Sequence, residues 1–148
     1  SVFSTVFPEK NVIPKITSRR GVDVQIMVSD KSDIPITPRI VDYQAHRLMK
    51  AGARVYYYTG GFHHSKIMMV DGEWCYAGSA NLDNRSLRCD YEVNALILDP
   101  HSTAQLEEIF VRDRDNHTFL LTPEKWKSFP RSRRRMAWFW HLLLTPWV

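Results

Sequence analysis

The stretch from His64 to Asn81 is HSKIMMVDGEWCYAGSAN, and it predicts the centre of the fold. Lys66 to Val70 and Trp74 to Gly78 are mostly apolar runs of strand length. Asp71-Gly72 stands between them, and this dipeptide is a strong signal for the tight turn of a β-hairpin. We therefore expect two antiparallel strands that meet at Asp71 and Gly72.

Three further strands are predicted around this hairpin. Val22 to Val28 alternates apolar with other residues, which is the pattern of a strand with one buried face. Arg54 to Tyr58 is a second strand, and Gly60-Gly61 breaks the chain after it. Glu92 to Leu98 follows the hairpin and stops at Asp99-Pro100.

Helices are predicted between these strands. The first carries Val12, Ile13 and Ile16, with Pro14 in its first turn. Pro38 opens another after a polar loop from Asp30, with an apolar face of Val41, Ala45, Leu48 and Met49, and Gly52 ends it. Ser102 and Gln105 predict a capping box for a helix that carries Leu106, Ile109 and Phe110. Alternating strands and helices predict an α/β domain with a mixed β-sheet flanked by helices.

The chain has 148 residues, 44% of them hydrophobic, which fits one folded domain with its own core. It begins at Ser1 without a signal peptide, and this favours a fragment of a longer protein. Cys75 and Cys89 have no metal-ligand spacing, so we expect two structural thiols in a reducing compartment.

The positive charge is concentrated at the end of the chain. Residues 123–148 carry six basic residues and one acid, whereas residues 1–122 are close to neutral. The apolar run Met136–Leu144 is much shorter than the roughly 20 residues that span a bilayer. If residues 131–144 are helical, the tail either packs on the domain or lies on a membrane surface.

The hairpin brings together side chains suited to phosphodiester chemistry. Strand periodicity places His64 and Lys66 on one face, and Ser79 and Asn81 also share a face across the hairpin. An imidazole can attack phosphorus, and a second, protonated imidazole must supply a proton to the leaving alkoxide. Lys66 and Asn81 can stabilise the phosphoryl oxygens, so we expect these groups to converge on one anion without a metal ion.

Neighbouring residues receive supporting roles. Asp71 has the opposite strand parity from His64, so we expect it to fix the turn or to buttress the site. Glu92 is either a surface residue or a carboxylate that accepts a hydrogen bond from the catalytic imidazole. His63 points to the face opposite His64 and is expected to be structural.

The spacing HxKxxxxD, followed by GSxN, resembles the HKD motif of the phospholipase D superfamily. The residues that match are His64, Lys66, Asp71, Gly78, Ser79 and Asn81. The extension from Asn81 to Ser86, the stretch Arg20–Val24 and the Trp- and Arg-rich tail are similar to the C-terminal half of bacterial cardiolipin synthases. Glu92 matches an acid of the family that supports the catalytic histidine.

The resemblance implies a phospholipase D-like half-domain over residues 1–122 and a basic, aromatic tail over 123–148. It implies a catalytic set of His64, Lys66, Asp71 and Glu92, with phosphate bound by Lys66, Ser79 and Asn81, and no cofactor. Two such half-sites face each other in the family, and one histidine becomes phosphorylated while the other acts as acid and base. Which role His64 has stays open. The second half-site lies either in a missing N-terminal part, which also carries membrane-spanning helices, or in a homodimer mate.

The leading functional hypothesis is a phosphatidyltransferase that forms cardiolipin and glycerol from two phosphatidylglycerol molecules at the bacterial cell membrane. The tail would then meet an anionic membrane surface. The alternative is a phospholipase D-like phosphodiesterase or nuclease that acts as a homodimer. Nucleic acid is the less expected partner, because the basic residues cluster in the tail and not around the site. A third hypothesis, an inert structural half-domain, conflicts with the intact set of His64, Lys66 and Asn81.

Overall fold

The structure of the chain, a computed structural model, describes residues 2–4, 22–32, 37–81 and 89–144. The strands are β1 (Val2–Ser4), β2 (Gln25–Ser29), β3 (Arg54–Tyr58), β4 (Ile67–Val70), β5 (Trp74–Gly78), β6 (Asn94–Ile97) and β7 (Thr118–Leu120). The helices are α1 (Thr37–Lys50), α2 (Pro100–His117), α3 (Pro123–Ser128) and α4 (Arg131–Leu144). The predicted helix around Val12, Ile13 and Ile16 lies outside the described residues.

The described strands form one mixed sheet in the order β6-β5-β4-β1-β2-β3-β7. β1, β2 and β3 are parallel to one another, and the remaining pairs are antiparallel. The predicted α/β fold with a mixed sheet flanked by helices is therefore confirmed. Two of the strands, β3 and β5, have the bounds that the sequence predicts.

Both faces of the central strand β2 are buried. Ile26 and Val28 face one core with α1, in which Val41, Ala45 and Leu48 are buried as predicted. Met27, between them, faces a second core with Met69, Cys75 and Phe110. A helix layer therefore covers each face, which explains why Met27 is only 1% exposed although it occupies the other face of the strand.

α1 begins at Thr37, one residue before the predicted Pro38, and α3 was not predicted, but the larger difference is at the start of α2. α2 begins at Pro100, and its N-cap is Asp99, whose carboxylate accepts from the amide of Ser102 at 2.8 Å and from its hydroxyl at 2.6 Å. The predicted capping box at Ser102 and Gln105 is thus wrong by one turn. Proline fits the first helical position because it has no amide hydrogen to satisfy, so Asp99-Pro100 starts the helix as well as ending the strand.

The tail forms α4, which packs against α1. Asp42 of α1 is fully buried and accepts from Arg133 of α4 through Nε at 2.8 Å and Nη2 at 2.6 Å. Ala137 is buried at the same contact, and the ring of His141 stacks on Tyr43 with 4.0 Å between centroids. The predicted helical tail is confirmed, and it packs on the domain through this one side.

Candidate active site

The turn of the β4–β5 hairpin needs two left-handed residues. Asp71 has a φ of 53° and Gly72 a φ of 70°. Glycine adopts such angles freely, and aspartate is among the few other residues that tolerate them. This conformation matches the right-handed twist of the strands, so the Asp71-Gly72 pair fixes the register in which Met68 faces Tyr76 and Val70 faces Trp74.

The register separates the residues around the motif onto two faces of the sheet. The amide of Gly78 donates to the carbonyl of Lys66 at 3.2 Å, which continues the pairing of β4 with β5 beyond Ile67. Directly paired residues share a face, so Lys66 lies on the face of Met68 and Tyr76. His64, two residues earlier, belongs to the same face by strand alternation.

The opposite face holds His63 and Ser65. Together with Ile67 and Met69 they line a cavity of about 160 Å³ beneath α2. Burial lowers the pKa of His63, and the charge of Asp113 opposes that effect. The expectation that His63 points away from His64 agrees with this placement.

His64 and Lys66 are close to each other at the end of the hairpin away from the turn. The Lys66 ammonium donates to the backbone carbonyl of His64 at 2.9 Å, which fixes the positive charge against the backbone of that residue. The ring of His64 lies 5.2 Å from that of Phe62, and the residue is exposed. The face thus presents an accessible imidazole next to a cation, as attack on an anionic phosphodiester requires.

Ser79 and Glu92 form the second part of the site. The hydroxyl of Ser79 donates to the Glu92 carboxylate and accepts from the amide of Val93 at 3.0 Å. The amide of Ser79 donates to the carbonyl of Val93 at 3.0 Å. These bonds tie the GSxN element to the residues that precede β6.

Gly78 allows β6 to approach this closely. It pairs with Asn94, and a Cβ at position 78 would collide with the backbone of Val93 and Asn94. The side chain of Asn94 then accepts from the amide of Ala80 at 3.1 Å. Asn94 is a site-forming residue that sequence reasoning did not select, and its only sequence signal is a polar position in an otherwise apolar strand.

The structure shows a contact between Ser79 and Glu92 that the sequence did not predict. The phosphate-binding role of Ser79 and the imidazole-supporting role of Glu92 both stay predictions. Burial and, to a smaller degree, the negative charge of Glu92 raise the pKa of Tyr76, which lies on the Lys66 face. The charge of Glu92 is therefore felt by a side chain on the face of Lys66.

Two predicted site residues lie at the margins of this arrangement. Asp71 is at the tip of the hairpin, separated from Lys66 by the whole of β4. Asn81 is half-buried and ends a described segment, and the rest of the motif extension, from Leu82 to Arg88, lies outside the described residues. Within the described ranges, no three histidine, cysteine, aspartate or glutamate side chains converge as a metal site would require.

Comparisons with known proteins agree with the fold and the motif. Residues 2–114 match the family described as "Cardiolipin synthase, PLD-like domain". A cardiolipin synthase of Listeria monocytogenes serotype 4a is 40% identical over 110 residues, which are 74% of this chain and 23% of that protein. The chain thus spans about a quarter of the length of the curated relative it matches.

Two solved structures share the fold at low sequence identity. Nuc from Salmonella typhimurium, a phospholipase D family member, aligns with a TM-score of 0.64 at 18% identity. The alignment covers 80% of this chain and 79% of Nuc. The phosphatidylserine synthase of Haemophilus influenzae Rd KW20 aligns with a TM-score of 0.66 at 20% identity. The alignment covers 96% of this chain and 39% of the synthase. From the family match and the identity to the Listeria protein, the chain belongs to the family of cardiolipin synthase, phospholipase D-like domains.

Proposed function

We propose that this chain is one half-site of a phosphatidyltransferase of the cardiolipin synthase type. Two features of His64 carry the proposal. Its imidazole is exposed, and its backbone carbonyl accepts a hydrogen bond from the Lys66 ammonium. A nucleophile or general acid next to a fixed cation is suited to an anionic phosphodiester. Phosphatidylglycerol is such a substrate, and the Listeria relative is named for the product cardiolipin.

The proposed reaction has two steps. An imidazole nitrogen attacks the phosphorus of one phosphatidylglycerol, and the bond from phosphorus to the oxygen of the headgroup glycerol breaks. A second imidazole gives that oxygen a proton, and glycerol leaves. A hydroxyl of another phosphatidylglycerol then attacks the phosphohistidine, loses its proton to the second imidazole, and releases the histidine and cardiolipin. Lys66 and Asn81 stabilise the phosphoryl oxygens, and His64 takes either imidazole role.

The second imidazole must come from another half-site, either elsewhere in the same polypeptide or in another copy. We propose that this mate covers the face that carries Lys66 and Tyr76. Leu96 of the edge strand β6 pairs with Tyr76 on that face and is 58% exposed, and Leu98 beyond it is 74% exposed. An exposed apolar edge next to a site with one imidazole is typical of a surface that another unit buries.

A phosphodiesterase or nuclease that acts as a homodimer is the second candidate. It is supported by the fold likeness to Nuc, which extends over most of both chains. A nuclease needs basic residues that contact the phosphate backbone. Of the described arginines, four lie together on α4 and none lies on β4 or β5, so we rank this candidate second.

The proposed function is tested with His64→Gln and a neighbouring control, His63→Gln. With the second half-site present, we expect His64→Gln to abolish cardiolipin formation from phosphatidylglycerol vesicles. His63 is on the other face of the sheet, so His63→Gln should retain activity within a few-fold. A His64→Gln protein that turns over at the wild-type rate would remove this site from the mechanism, and cleavage of DNA without cardiolipin formation would favour the nuclease.

A further inference from the structure

The outward side of α4 combines arginines with large apolar side chains. Inward, Arg133, Ala137 and His141 hold the helix on α1. This contact fixes which residues face away from the domain. The exposed apolar residues are Met136, Trp138, Phe139, Leu142 and Leu143, each between 47% and 65% exposed.

These side chains form two rows along the helix. Arg131, Arg135, Phe139 and Leu143 succeed one another four residues apart, as do Arg134, Trp138 and Leu142. Side chains spaced by four residues are neighbours on a helix. Each row therefore begins with arginine in the first half of the helix and continues with apolar residues in the second half.

The electrostatics of the helix do not explain why the arginines lie near its N-terminus. A helix N-terminus carries a partial positive charge, so arginines there are unfavourable for the helix. Arg133 is explained by its bond to the buried Asp42. Arg131 and Arg135 are exposed and have no acidic partner among the described residues.

A groove of about 590 Å³ lies among these residues. It is lined by Arg131, Arg134, Arg135, Met136, Trp138 and Phe139. No acidic residue occurs between Lys125 and Leu144, so the charge of the surface is not offset by its own segment. We call the outward side of α4, with this groove, the α4 surface.

We propose that the α4 surface binds the interface of an anionic lipid bilayer. Exposed indole, phenyl and leucyl groups gain by insertion at the headgroup level, while arginine attracts lipid phosphate. Nucleic acid would be attracted by the arginines but would leave the leucines and phenylalanine in water. The combination of both kinds of side chain on one surface therefore favours lipid.

The position of α4 fits a lipid substrate. α4 packs on α1, and α1 covers the face of the sheet that carries Ile26. Through β1, the register places Ile26 and Met68 on the same face, which is the face of Lys66. The α4 surface and the proposed half-site thus belong to the same side of the sheet. This relation rests on the proposed function, whereas the binding itself is measured without turnover.

The test is co-sedimentation of the 148-residue chain with vesicles of equal parts phosphatidylglycerol and phosphatidylcholine, and with vesicles of phosphatidylcholine alone. We expect binding to the anionic vesicles that is stronger than to the neutral ones and that weakens with salt. Arg131→Gln with Arg135→Gln should lower the partition coefficient on the order of tenfold or more, because each basic residue near such a surface contributes about fivefold. Trp138→Ala with Leu142→Ala should lower it on the order of tenfold through lost apolar burial.

Matched controls are taken from the exposed side of α2 and the end of α1. Lys50→Gln with Arg112→Gln removes the same charge, and Ile109→Ala with Val111→Ala removes exposed apolar groups, and both should bind as the wild type does. Since Trp138 and Leu142 are exposed, their variants should keep the wild-type urea midpoint. His64→Gln should bind vesicles normally, so loss of turnover and loss of binding are separate outcomes.

Three results would overturn the proposal. One is equal binding to neutral and anionic vesicles, and another is an equal loss in the α4 and control variants. The third is the absence of vesicle binding together with another use of the surface. That use is either tight binding of duplex DNA at physiological salt or self-association through Trp138 and Leu142, measured by sedimentation velocity. In that case the α4 surface would be an interface for nucleic acid or for a second copy.

Discussion

Asp42 is a carboxylate without exposed surface that accepts four hydrogen bonds. Arg133 donates two of them, Tyr57 donates one at 3.0 Å, and Arg39 donates one at 3.2 Å. The arginine is held on its other side by the ring of Phe129, 4.0 Å below the guanidinium. The hydrogen bonds to Asp42 raise the pKa of Arg133 further, so the guanidinium keeps its charge at any pH at which the protein folds.

Removing one partner of this pair should strongly destabilise the chain. We expect Arg133→Ala to lower the free energy of unfolding by about 3 kcal/mol, because a buried carboxylate loses the cation that donates two of its four hydrogen bonds. Tyr57→Phe removes one neutral donor and should cost about 1 kcal/mol. Urea unfolding followed by tryptophan fluorescence measures both changes.

Arg54→Ala is the control for this prediction. Arg54 also bonds bidentately to an aspartate, Asp23, but both side chains are about half exposed. Solvent screens such a pair, so its loss should cost less than about 1 kcal/mol. Equal effects of Arg54→Ala and Arg133→Ala would mean that burial of Asp42 does not determine the strength of the α1–α4 contact.

Asp71 can be assigned to the turn or to the chemistry by two substitutions. Asparagine tolerates a left-handed φ almost as well as aspartate, whereas alanine at a φ of 53° costs about 1 kcal/mol. We therefore expect Asp71→Asn to keep both stability and turnover, and Asp71→Ala to lower the urea midpoint. A stable Asp71→Asn protein that loses its activity would instead give the carboxylate a part in the reaction.

Two histidines make stability depend on pH. Burial lowers the pKa of His46, which stacks on Trp126, and burial also lowers that of His63. In the folded chain each imidazole takes up its proton at a lower pH than in the unfolded chain. Their contribution to stability is therefore complete above about pH 6.5 and is lost as the pH falls towards their folded pKa values.

We expect the urea midpoint to decline as the pH falls below about 6.5, and the decline to become smaller in His46→Gln and His63→Gln. His101→Gln, at the exposed start of α2, is the control. A decline of unchanged slope in both variants would mean that carboxylates, and not these histidines, govern the acid sensitivity.

At the scale of elements, local patterns predict what local interactions determine. The Asp71-Gly72 turn, the apolar face of α1 and the bounds of β3 all follow from neighbouring residues, and the structure agrees with each. β1 and β7 have three residues each and were not predicted, because such short strands exist only through pairing with β2, β3 and β4. The start of α2 was misplaced because Asp99 and Ser102 are both good caps, and the contacts of the first turn decide between them.

The same distinction explains what could be predicted of the site. The shared face of His64 and Lys66 follows from strand alternation alone, and the opposite face of His63 follows with it. The Ser79–Glu92 bond depends on the pairing of Gly78 with Asn94, a register set between positions sixteen residues apart. Local sequence patterns do not reveal a register between positions so far apart, so Ser79 could be recognised as a candidate site residue but not given its partner.

At the scale of the whole molecule, the site faces outward on a sheet whose edge is apolar. Leu96 and Leu98 of this edge lie near Glu92 in sequence, and Leu96 shares the face of Tyr76. Burial of two such side chains in an interface contributes several kcal/mol, whereas their exposure in an isolated unit is unfavourable. The edge and the half-site therefore predict a single surface that is closed by the second half-site.

Leu96→Lys with Leu98→Lys should weaken this assembly on the order of a hundredfold, because each lysine replaces apolar burial with a charge that must lose water. Turnover should fall with it and recover at higher concentration of the mate, since the substitutions leave His64 and Lys66 in place. Val111→Lys, on the exposed side of α2, should change neither quantity. Sedimentation velocity and cardiolipin formation measured on the same samples test the link. Full activity in a sample that contains only isolated half-sites would show that one imidazole suffices, and the requirement for a second half-site would then be wrong.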